Sequence, residues 1–156
     1  MKSRGFWGEV VQQAVLGGGL LYLWAGIAGA QQLSVSGSPA AMKITSATAG
    51  LPPNDALNTA TTYSVKGKAN KSYKITVALN ANMPAGMTLT IDLVPPAGAV
   101  DDGVVTLSTT AREVVGNITN TTTFTGQITY DLAATPAAGV VTSQSRIVTF
   151  TLTTWP

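Results

Sequence analysis

The C-terminal run Arg146-Ile-Val-Thr-Phe-Thr-Leu-Thr-Thr154 constrains the fold more than any other stretch of the chain. Successive side chains of an extended strand point to opposite faces, so Val148, Phe150 and Leu152 share one face while Ile147, Thr149, Thr151 and Thr153 share the other. The run is therefore read as a half-buried β-strand. Trp155-Pro156 stops it, and the preceding chain has to supply the sheet against which Val148, Phe150 and Leu152 pack.

The same period recurs upstream. Tyr73, Ile75, Val77 and Leu79 alternate with Lys74, Thr76 and Ala78, and Met87, Leu89, Ile91 and Leu93 alternate with Thr88, Thr90 and Asp92. Phe124, Ile128, Tyr130 and Leu132 share a face, with Gly126 marking a bulge or a point of close approach. Shorter strands are expected at Leu33 and Val35, at Met42 and Ile44, from Tyr63 and Val65, at Val105 and Leu107, and as a brief continuation at Val114 and Val115. Turn signals separate them: a long connection over 47–60 holding Pro52-Pro53-Asn54-Asp55 and crossing between sheets, a hairpin loop over 80–86, Pro95-Pro96-Ala97-Gly98, and a polar loop over 117–123. Ile75-Thr-Val-Ala-Leu79 before Pro84-Ala85-Gly86 echoes Ile128-Thr-Tyr-Asp-Leu132 before Pro136-Ala137-Ala138-Gly139, which fits two similar hairpins, one in each sheet. About seven or eight short strands, with no helical period after residue 30, predict an all-β, antiparallel, immunoglobulin-like β-sandwich.

Residues 1–30 have the three parts of an export signal. Lys2 and Arg4 are positive, an apolar run passes through Leu20-Leu-Tyr-Leu-Trp24 and Ile27, and Ala28-Gly29-Ala30 fits cleavage before Gln31. The apolar part is short for a bilayer span and is interrupted by Gly17-Gly18-Gly19, so a cleaved signal peptide is the first reading and a retained anchor the second. The expected organisation is a signal peptide over 1–30, an extended N-terminal arm over 31–41 and a β-sandwich domain over 42–156. Such a protein is secreted, extracellular or at the cell surface, with no membrane contact in its mature form.

Without the signal the chain loses Lys2, Arg4 and Glu9 from its nine Lys/Arg and seven Asp/Glu, which leaves seven against six and a net charge of +1. So nearly neutral a surface sets up no long-range field for nucleic acid or anionic lipid, and no nucleic-acid partner is expected. There is no cysteine and no histidine. Cysteine nucleophiles, thiolate-held zinc and Ser-His-Asp triads are thereby excluded by inventory. We expect no enzyme, no cofactor and no metal. A carboxylate pair assembled across loops, Asp92 or Asp131 with Glu113, is the catalytic arrangement that the inventory leaves, and no spacing predicts it.

Three local constellations are read as structural before functional. Asp101-Asp102-Gly103 is a turn, with a calcium ligand as the sharper alternative. Lys66, Lys68, Lys71 and Lys74 surround one turn and read as a solvated sheet edge, with contact to a glycan or another surface as the alternative. Asn70, Asn117 and Asn120 each begin an N-glycosylation triplet, the last two within the expected 117–123 loop.

With its export signal, short N-terminal arm, Thr/Ala/Val/Gly-rich strands and terminal Val148-Thr-Phe-Thr-Leu-Thr153, the chain resembles small secreted subunits of prokaryotic surface filaments and coats. These are pilin-like proteins with immunoglobulin-type sandwiches, including those assembled by donor-strand exchange and the spore-coat-U group. Many chaperone-assembled pilins carry a disulfide, which this chain cannot form. The resemblance spans roughly residues 33–154 and implies a homopolymer in which Leu33 and Val35 of one copy complete a sheet edge of the next, with Val148, Phe150 and Leu152 as the other interface residues. The alternative is a monomeric secreted adhesion module that binds a glycan or a surface protein through 95–103 and 117–123.

Overall fold

In the computed structural model, which describes residues 11–15, 31–46 and 51–156, ten strands form two five-stranded sheets. In chain order they are β1 (Val11–Val15), β2 (Gln32–Ser36), β3 (Ala56–Lys66), β4 (Tyr73–Leu79), β5 (Met87–Leu93), β6 (Val100–Asp101), β7 (Val105–Thr106), β8 (Arg112–Ile118), β9 (Phe124–Ala134) and β10 (Ile147–Thr154). One sheet has the order β1-β10-β4-β8-β6 and the other β2-β3-β9-β5-β7. Among the described residues the one helix is a single 3-10 turn at Pro136–Ala138, so the all-β sandwich expected from the alternation is the fold. All pairings are antiparallel except β1 with β10.

The alternating residues lie where period 2 puts them. Tyr73, Ile75, Val77 and Leu79 from β4 and Val148, Phe150 and Leu152 from β10 face Tyr63, Val65, Leu89, Ile91, Leu93, Ile128 and Tyr130 from the second sheet, all in one buried cluster. Each such side chain contributes about 1.5–3 kcal/mol by leaving water, and in a chain without cysteine this burial and the two ladders hold the fold.

Several local expectations are corrected. Residues 41–46 form no strand, although Met42 and Ile44 pack on the core. β3 begins at Ala56, inside the expected turn-rich connection, and the link from β2 to β3 returns to the same sheet. Val114 and Val115 belong to a seven-residue strand. Neither 80–86 nor the copy of the echo at 136–139 makes a hairpin, because β4 and β5, like β9 and β10, lie in different sheets. From β3 to β10 every consecutive strand changes sheet, so each link passes from one sheet to the other. Pro84, Pro95, Pro96 and Pro136 sit in three of those links, where a fixed φ and a missing N–H suit a crossing better than a two-residue hairpin turn.

Gly126 is a point of close approach. Its partner in register is Tyr63, and a Cβ on Gly126 would lie 2.5 Å from the carbonyl oxygen of Val94 and 2.7 Å from the Tyr63 ring. The absent side chain lets Tyr63 lie over the strand, donate its hydroxyl to Val94 O at 2.7 Å and meet Phe124 edge-on at 6.1 Å between ring centres. The two Pro-Ala loops also meet, since a Cβ on Gly86 would touch Ala138.

Candidate functional site

The edge strand β2 and the strand β10, which lies next to the edge strand β1, carry the residues expected at a subunit contact. β10 is paired on its inner side with β4 over Val148–Thr154, from Val148 opposite Leu79 to Thr154 opposite Tyr73. On its outer side Ile147 to Thr151 pair with Val11 to Val15 of β1. The side chains of Val148, Phe150 and Leu152 are buried in the core of their own domain, and toward β1 the strand presents its backbone. Residues 1–10 and 16–30, with the expected signal features and the Ala28-Gly29-Ala30 cleavage site, lie outside the described residues. β1 falls on the N-terminal side of that site.

The arm forms β2 at the edge of the other sheet. It pairs with β3 of its own chain, from Gln32 opposite Lys66 to Ser36 opposite Thr62. Leu33 is 4% exposed and joins the core, Val35 is half-buried against it, and Ser36 and Thr62 share a hydroxyl hydrogen bond of 2.6 Å. Arm and acceptor edge therefore both offer five-residue ladders. β2 covers only Thr62 to Lys66, so among the described residues the first half of β3 has no outer strand, and Leu57 there is 69% exposed.

At the opposite border of the β10 sheet, polar residues gather around β8. Lys74 and Glu113 form an ion pair at 3.2 Å, and Trp155 donates its indole N–H to Glu113 Oε1 at 3.0 Å and its backbone N–H to Ser72 O at 2.8 Å. Asp101 Oδ1 accepts from Gly103 N at 2.8 Å, which makes the Asp-Asp-Gly segment the expected turn. Desolvation, with Glu113 and Asp101 nearby, raises the Asp102 carboxyl above its ordinary range, partly offset by Lys74. No group of three His, Cys, Asp or Glu that could hold a metal occurs among the described residues. Asp92 and Asp131 sit on the outer face of one sheet and Glu113 on that of the other, so the fold does not bring them together.

The three sequon asparagines differ. Asn70 is exposed in a left-handed turn at φ 59°. Asn117 lies within β8 rather than in a loop, half-buried, with its amide toward Gly98 O at 3.4 Å. Asn120 donates its amide to Val65 O at 3.0 Å and to Thr122 O at 2.7 Å, so the nitrogen that would carry a glycan is committed to the fold. Among the described residues no helix is long and apolar enough to cross a membrane. Compared with family models, curated proteins and solved structures, the chain matches none.

Proposed function

We propose that the chain is an exported structural subunit of an extracellular filament, pilus or surface coat, and that copies join by β-strand addition at the outer edge of β10. The supporting observation is that this edge is paired only through Val11–Val15, which precedes the expected cut before Gln31. Cleavage would leave a ladder of backbone groups open on a strand held rigidly by Val148, Phe150 and Leu152, and an open edge is a template for a strand from another chain. The donor in this reading is the arm with Leu33 and Val35, followed by irregular chain that gives it reach. Because donor and acceptor lie on different edges, the contact is head-to-tail and propagates instead of closing.

The seating of Leu33 in its own core favours the second reading, a monomeric binding module whose arm stays home. Negative-stain microscopy and gel filtration of the processed chain, residues 31–156, separate the two. Filaments that disappear when residues 31–40 are removed, leaving a folded monomer, support polymerisation by the arm. A monomer at every concentration supports the binding module.

A further inference from the structure

An open-mouthed groove of about 1030 Å³ lies at the end of the sandwich where β5 begins and β9 ends, just above the roughly 300–1,000 Å³ usual for ligand sites. Two irregular straps, 41–46 with 51–53 and 139–146, run past this end without closing over it. Its floor is Leu89 and Leu132, and Met42, Met83 and Met87 line its walls. The chain has four methionines, so all but Met1 converge here. Methionine is unbranched, flexible and polarizable, and is favoured on surfaces that accommodate flexible apolar chains. Leu51, also in the lining, is 61% exposed at the mouth, as an apolar residue awaiting cover would be.

The charge is one-sided. Among the described residues of the lining, Lys43 and Arg146 are the charged ones and none is a carboxylate. Arg146 is held in place by neutral oxygens: Nε and Nη2 donate to Asn82 O at 3.0 and 2.8 Å, Nη1 to Ser145 O at 2.9 Å and Nη2 to Gln144 Oε1 at 2.6 Å. These contacts fix the guanidinium without neutralising it, and a fixed cation beside an apolar trough complements an anionic head on an apolar tail.

We infer that the groove binds a free long-chain fatty acid, its tail along Met42, Met83 and Met87 and its carboxylate at Arg146. A peptide would bring backbone N–H and C=O groups that an apolar wall leaves unpaired; an acyl chain brings none. This inference is independent of the strand-addition reading.

The test uses the full chain, with cis-parinaric acid as the fluorescent probe and oleate or oleyl alcohol as competitors. Oleate should displace the probe at one molecule per chain. Met83→Gln and Leu51→Gln, the latter at an exposed position that folding tolerates, should each weaken oleate about fivefold or more, and Arg146→Gln should weaken oleate about tenfold while changing oleyl alcohol less than about twofold. The acid-to-alcohol ratio is insensitive to a merely structural loss at Arg146. Absence of displacement, equal binding by both groove variants and the parent, or an unchanged acid-to-alcohol ratio in Arg146→Gln would overturn the inference. So would displacement of the probe by a peptide of residues 31–40, which would make the groove a seat for another copy.

Discussion

At the scale of single residues, the contact of Tyr63 with Gly126 shows how one missing side chain organises a core. The Tyr63 hydroxyl donates to Val94 O in a part-buried hydrogen bond, and removing it takes that donor away from the carbonyl. Tyr63→Phe should cost about 1–2 kcal/mol in denaturant unfolding, and Gly126→Ala, whose Cβ meets both Val94 O and the ring, about 1–3 kcal/mol from overpacking. Burial, and secondarily the charge of Asp101, pushes the Tyr63 phenol far above the ordinary tyrosine range. A folded-state pKa raised in this way gives stability that is complete below the unfolded value, about pH 10, and is lost as pH rises above it. The parent should therefore lose stability above about pH 10 more steeply than Tyr63→Phe, as thermal melts between pH 8 and 11 will show.

Asp131 follows the same sign in the carboxylate range. Desolvation first, and Asp55 second, raises its pKa, and its Oδ1 is buried without a partner. The charged form is disfavoured in the fold, so Asp131→Asn should melt higher than the parent at pH 7, and the difference should shrink below about pH 4 as the parent carboxyl protonates. A gain that persists at low pH would assign the effect to packing instead. Gly126 was legible in the sequence as a close approach, because glycine inside a strand pattern signals one. What approaches it was not legible, since Val94 and Tyr63 are brought there by strand order.

At the scale of elements, strands with clean alternation were readable almost to the residue: β4, β5 and β10 match their sequence patterns. β8 was not, because the register slips against β4 between Tyr73 and Thr76 and buries Val114, Val115 and Gly116 in succession. A bulge erases the period on which the reading depends. The first half of β3 was hidden for another reason: Ala56 to Ala60 offers no apolar face. The links misled most. Regular spacing reads as hairpins, yet spacing is equally satisfied when each strand crosses to the other sheet.

Trp155, read from sequence only as a stop, proves to be a clamp. Its ring lies against Gly116 and its indole N–H holds Glu113, tying the C-terminus to β8 across β4. Trp155→Ala should cost about 1–3 kcal/mol by loss of burial and of that hydrogen bond. Glu113→Gln keeps the acceptor and loses only an ion pair that is about one-third exposed, so it should cost less than about 1 kcal/mol. Equal losses in the two variants would mean that the ion pair, and not the ring, closes this end.

At the scale of the whole molecule, the decisive relation joins the two ends of the chain. Pairing between Val11–Val15 and β10 makes the β10 sheet five strands wide only while the N-terminal segment is attached. A strand with neighbours on both sides points its amides alternately toward each, so loss of one neighbour exposes every second amide and leaves the others bonded. Hydrogen exchange on residues 31–156 at low micromolar concentration should therefore show faster exchange at alternate positions between Ile147 and Thr151 than in the full chain, with the amides directed at β4 still protected. If the vacated edge then accepts a strand from another copy, protection at those same positions should return as concentration rises and polymers form. Return of protection in polymers but not after deletion of residues 31–40 assigns the donor to the arm. Uniformly slow exchange across β10 in the dilute processed chain would mean that the edge never opens, and strand addition at β10 would fall with it.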